Sequence, residues 1–151
     1  MTLDVIALVF SGIAVVVSIA SYFGARQIKR RDWRIDAAGK LDQSKAILEG
    51  IPPRASQLKK NYKALAIALR SAGNSGHKQI ENDIDTQANK AADLLKEISI
   101  KSADLKSLSD ADLENKIVEL NQKFVLAREI SMWFDQSESE HAKRLEAHQR
   151  Q

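Results

Sequence analysis

The chain has 151 residues, 44% of them apolar and 28% charged, with 6 glycines, 2 prolines and no cysteine. That is material for one modest domain and not for two large ones. It excludes disulfide frameworks, thiolate metal sites and cysteine nucleophiles, and 5% aromatics with no β-branched run beyond the first segment leaves little core for a β-sandwich or barrel.

Charge is unevenly spread. Residues 1–80 hold 13 Lys/Arg against 5 Asp/Glu, and residues 81–151 hold 10 against 15. A basic half therefore faces either an anionic surface or the acidic half of its own fold.

Residues 5–23 carry no charge, and a helix of nineteen residues spans roughly the ~30 Å hydrocarbon thickness of a bilayer. The pattern predicts a single transmembrane helix within residues 1–25. A buried core helix is the alternative, but a domain of this size has little use for a helix apolar on all sides. A cleaved signal peptide would need a basic leader, whereas Asp4 precedes the run and Arg26, Lys29, Arg30, Arg31 and Arg34 follow it. By the positive-inside rule, the N-terminus lies outside and the remainder in the cytoplasm of an inner (plasma) membrane. The five cations then lie at the membrane surface, in contact with anionic lipid.

Within the run Ala7, Ser11, Ala14, Ser18, Ser21 and Ala25 repeat at spacings of four and three. Small side chains let helix backbones approach closely in lipid, and the 3.5-residue mean period suits a left-handed pair or ring. The register continues through Ile28, Asp32 and Ile35, as a stalk would.

Residues 26–50 form a basic stretch and a short helix, with Ala37, Ala38, Leu41, Ile47 and Leu48 as its weak apolar face. Ile51-Pro52-Pro53 predicts a break. A second helix follows, with Leu58, Tyr62, Leu65, Leu69 and Ala72 on one stripe, closed by Gly73-Asn74-Ser75-Gly76. A third, from about His77 to Ile100, has a thin face of Ile80, Ile84, Ala88, Ala91, Leu95 and Ile98. In the connector, Leu105 and Leu108 are placed to cover a bundle end, and Ser109 with Asp112 resembles a capping box with Asp in place of Glu.

The fourth helix gathers Leu113, Ile117, Leu120, Phe124, Ala127, Ile130, Met132, Trp133 and Phe134. Residues 135–151 are nearly all polar and are expected to project into solvent or fray unless covered. Short connections imply antiparallel neighbours. The expected fold is all-α: one N-terminal span, then an antiparallel three- or four-helix, coiled-coil-like bundle over residues 54–134 and a polar helical tail.

Few residues suggest chemistry. His141 and His148 lie seven apart without a carboxylate shell, so no metal is expected. Glu81, Asp83 and Asp85 fail as a calcium loop, because Thr86 and Ala92 stand where Gly and Glu are needed. The Gly73 to Lys78 segment lacks the spacing of a phosphate loop. Neither a catalytic constellation nor a cofactor motif is present, and no enzyme is expected. Lys59, Lys63 and Arg70, near one helical face in an interval free of acid, form a candidate anion-binding surface; the alternative is pairing with acidic stretches such as Asp110, Asp112, Glu114 and Glu119. No aromatic interleaving points to nucleic acid.

In outline the chain resembles many small bacterial or phage proteins with one N-terminal span and a helical remainder. Phage spanins share that outline but carry their coiled region outside the cytoplasm, opposite to the orientation predicted by Arg26 to Arg34. The expected function is noncatalytic: a membrane-anchored interaction or assembly protein that self-associates through its small-residue face, or packs on another membrane protein. The alternatives are an anchoring or regulatory subunit of a separate enzyme or channel, an oligomeric membrane-perturbing effector, and a lipid or nucleic-acid tether.

Overall fold

The computed structural model describes residues 2–70, 74–98 and 104–150, with side chains from residue 17 onward. Three helices follow one another: α1 over Thr2–Ala68, α2 over Ser75–Glu97 and α3 over Asp110–Gln149, with a short 3-10 turn at Asp104–Lys106 between the last two. Among the described residues there is no strand. The all-α expectation holds, as a three-helix bundle.

α1 is the spine. Its 67 residues extend about 100 Å at 1.5 Å per residue. Ala37, Leu41, Ser44, Leu48, Ile51, Ala55, Leu58, Tyr62 and Leu65 are all buried and alternate in steps of four and three, which is the seam of a left-handed bundle. The break expected at Ile51-Pro52-Pro53 is absent, since both prolines lie inside α1. Each removes one backbone bond, to the carbonyls of residues 48 and 49. Both rings are exposed, while Leu48 and Ile51 on one side and Ala55 and Leu58 on the other are buried. Tertiary burial in one phase thus outweighs the local penalty. The short helix closing at Gly50 and the second helix are one element.

α2 begins two residues earlier than expected because Asn74 caps it, its side-chain oxygen accepting the His77 backbone N–H at 2.9 Å. Ile84, Ala91, Leu94 and Ile98 are buried, with Ile80, Ala88 and Leu95 packed against that core. Leu105 is buried in the connector, as expected of a bundle-end cover. Ser109 caps α3: its hydroxyl accepts the Asp112 N–H at 3.3 Å and donates to the Asp112 carboxylate at 2.5 Å. Leu113, Leu120, Ala127, Ile130 and Phe134 then point inward, while Met132 is exposed and Trp133 half-buried.

The helices run up, down and up. Asp110 meets α1 at Arg26, Asp135 at Arg54 and Ser137 at Tyr62, so α3 ascends parallel to α1. α2 descends between their far ends, with Lys59 paired to Asp85 and Lys123 to Glu97 at its lower end. α1 packs against both partners, and these touch each other little. The polar tail is a helix to Gln149. Its first part lies on α1 through Ser137 and through His141, whose ring meets Tyr62 edge-on with centroids 5.0 Å apart.

Among the described residues no helix is long and apolar enough to cross a membrane. The expected span, residues 5–23, has its first twelve residues outside those whose side chains are described.

Candidate functional site

The segment of α1 below the core is where the unexplained residues converge. Val17, Ile19, Tyr22 and Phe23 are 57%, 51%, 64% and 57% exposed, an apolar surface left uncovered by the other described residues. Of the small-residue face, Ser18, Ser21 and Ala25 are exposed, whereas the side chains of Ala7, Ser11 and Ala14 lie outside the described set.

The basic cluster divides by helical phase. Extending the buried seam downward from Ala37 by steps of three and four reaches Arg34 and Arg30, so these side chains point toward α3 and the connector. Arg34 donates to the Lys106 carbonyl at 2.7 Å, and Arg30 donates to the Leu108 carbonyl at 2.8 Å. Arg26 donates to the Asp110 carboxylate from Nε and Nη2, at 3.1 and 2.8 Å, and Arg30 Nε stands 2.9 Å from its other oxygen. Three guanidinium groups thus clasp the start of α3 to α1. The Arg26 hydrogen bond lowers the Asp110 pKa below its ordinary 3.8, and desolvation opposes the shift without reversing it. The same hydrogen bond raises that of Arg26.

Lys29 and Arg31 are exposed outside this clasp. Lys29 sits over the Trp33 ring, 4.6 Å from its centroid, a cation–π arrangement. With Tyr22, Ala25 and Arg26, and with Glu114 from α3, these two residues line an open cleft of about 470 Å³. The cluster therefore does two jobs by geometry: Arg26, Arg30 and Arg34 hold the bundle's lower end, and Lys29 and Arg31 present charge outward.

The candidate anion surface on upper α1 is dispersed. Lys59 pairs with Asp85 of α2, and Lys63 is exposed. Arg70 lies beyond the helix end with φ at +52°. Asp110, proposed as a partner of this face, pairs instead with the lower cluster, and Glu119 pairs with Lys116 and Lys123 of its own helix. These lysines draw the Glu119 pKa down, the Lys116 hydrogen bond most.

The strongest polar tie of the upper bundle involves Arg54, which sequence reading left unassigned beyond its charge. Its guanidinium reaches Asp135 at 2.6 Å, Glu138 at 3.0 Å and Ser131 at 3.2 Å, and lies 5.6 Å from the Phe134 ring centroid. The Glu138 hydrogen bond raises its pKa despite partial burial. Tyr62 donates to the Ser137 carbonyl at 3.2 Å, and burial raises its phenol. Local periodicity contains no signal for pairs 75 to 84 residues apart.

Among the described residues no group of three His, Asp or Glu side chains could hold a metal ion. His77 lies by Glu81, and His141 by Tyr62. Compared with known proteins, the chain matches no family model, no curated protein and no solved structure.

Proposed function

We propose that this chain is a noncatalytic, membrane-anchored interaction protein. Residues 5–23 cross the inner membrane with the N-terminus outside, and the bundle stands in the cytoplasm. The observation that carries this is the exposed apolar surface of Val17, Ile19, Tyr22 and Phe23, on the same unbroken helix as the bundle core and directly below the cation cluster. Water is a poor solvent for such a surface; lipid or a second helix is a good one. Spans associate through small side chains, and Ala7, Ser11, Ala14, Ser18, Ser21 and Ala25 supply that face for a homo-oligomer.

The native chain lacks cysteine, so single cysteines report cleanly. Two assays on the full chain test the reading. Alkaline carbonate should leave the protein in the membrane pellet, and release into the supernatant would overturn anchoring. Mild oxidation should crosslink Ala14→Cys and Ser18→Cys but not Val16→Cys. Silence at all three in pelleted protein would remove self-association through that face and favour an anchoring subunit. For that second reading α3 supplies a surface, because Val118, Val125 and Met132, spaced by sevens, are 53%, 53% and 54% exposed.

A further inference from the structure

Above the apolar run α1 carries a second seam. Ser18, Ser21, Ala25, Ile28, Asp32 and Ile35 continue in steps of four and three, and all six are exposed. Ile28 and Ile35 stand out at 64% and 60% exposed. This seam is offset by two residues from the one that meets α3, about 200° around the helix, so it faces away from the bundle core, with Ala25 at the rim of the cleft beside α3. At Gly39, the next position, an added Cβ would meet nothing within 4 Å.

We infer that a second copy of this chain lies parallel against this face, with Ile28 and Ile35 each meeting its own counterpart. The inference rests on the self-association proposed above, and carries it past the membrane boundary into water. Charge selects both the occupant and its direction. With Ile28 and Ile35 in d positions, Asp32 is an a residue, Arg31 a g residue and Asp36 an e residue. In a parallel pair, a g residue faces the e residue five positions on in the other helix. Arg31 therefore meets Asp36 of the second copy, twice by symmetry. An a residue also packs beside the g residue of the facing helix, which sets Asp32 against that copy's Arg31. An antiparallel pair would instead set g against g and e against e, bringing Arg31 to Arg31.

The groups are available for this. Arg31 and Asp32 are exposed and form no ion pair or hydrogen bond among the described residues. Asp36 holds only a 2.9 Å contact to Lys40 and keeps 51% of its side chain exposed. A charged a residue weakens a seam while fixing register and partner number. That suits a stalk whose alignment is set by the helix pair below it.

The test uses full-length chains in native membranes, with single cysteines at Ser18, Ile28 and Ile35 and a control at Gln27, which is exposed off the seam. Mild oxidation should crosslink the first three and leave Gln27→Cys monomeric. In the Ile35→Cys background, Arg31→Asp or Asp36→Arg alone should lower crosslinking about threefold to tenfold, since each replaces two attractions by repulsions. The double swap should restore it only in part, because it re-forms the pairing between positions 31 and 36 but leaves Asp32 facing an acid at the exchanged g position. Crosslinking at Ser18→Cys but at neither Ile28→Cys nor Ile35→Cys overturns the stalk while leaving association of the spans intact. Silence at all three overturns both. Crosslinking that ignores the single swaps overturns the parallel charge pairing. Circular dichroism of each charge variant separates these outcomes from unfolding, because none of the substituted positions is buried.

Discussion

Ser44 shows how a single polar residue can sit in an apolar seam. It is fully buried, and its hydroxyl donates to the Lys40 carbonyl one turn earlier, at 2.7 Å, so the group is satisfied within its own helix. Ser44→Ala should leave urea stability within about 1 kcal/mol of the native value or raise it, because a back-bonded hydroxyl adds little to a helix. Ser44→Leu should lower stability by about 1–3 kcal/mol by overfilling the seam. Arg54, in contrast, joins α1 to α3 through two carboxylates and a ring. Its side chain is 27% exposed, so solvent weakens the pairs, and Arg54→Ala should cost about 1 kcal/mol. Arg54→Lys should recover only part, because an ammonium cannot fork between Asp135 and Glu138. Asp110 makes the clasp pH-sensitive with a defined sign. Its folded pKa lies below the unfolded value near 3.8, so the stabilisation is complete above that value and is lost as pH falls through the lowered one. Amide exchange of residues 104–113 should therefore accelerate in acid relative to the upper bundle, and Asp110→Asn should show the faster exchange already at neutral pH.

Among the elements, α1 was the one misjudged from sequence, and the reason is specific. Two adjacent prolines are a strong local stop signal, yet the apolar phase through Leu48, Ile51, Ala55 and Leu58 crosses them without slipping. A long-range pattern was present and outweighed the local one. The prolines still cost the helix two backbone bonds, and their rings are exposed. Replacing both by alanine should raise stability by about 1–3 kcal/mol, part of the ~3 kcal/mol interior penalty being offset by the freer unfolded chain; a fall in the thermal midpoint would show that the packing requires the backbone geometry the prolines set. Elements closed by local chemistry were legible: Ser109 capping α3, the α2 face built on Ile84, Ala91 and Ile98, and Leu105 at the bundle end. The contacts between elements were not. Nothing near Arg26 in sequence points to Asp110, and nothing in the polar tail announces that Tyr62 would hold Ser137 and His141.

Taken across the molecule, the buried set among the described residues begins at Ala37 and ends at Phe134. Residues 17–25 are outside that buried set, and a chain starting at residue 24 should unfold at a urea midpoint close to that of the full chain in detergent. A large loss would mean that the lower segment supports the bundle through contacts with another copy. The charge asymmetry between the two halves is partly absorbed internally, at Arg26 and Arg30 with Asp110, Lys59 with Asp85 and Arg54 with Asp135. Lys29, Arg31 and Lys63 remain outward.

The unbroken α1 also makes this a lever. From residue 24 to Ala68 its arm measures about 68 Å, with α2 and α3 fastened along it as a single body. On the proposed reading, in which residues 5–23 cross the bilayer, a thinner bilayer makes the span tilt further. A change of about 10° in that tilt would swing the far end by about 12 Å, with no loop to take up the motion and only the proline pair to soften it. A fluorophore at Lys60, ranged against the membrane surface in bilayers of graded thickness, would report that swing as a steady approach as the bilayer thins.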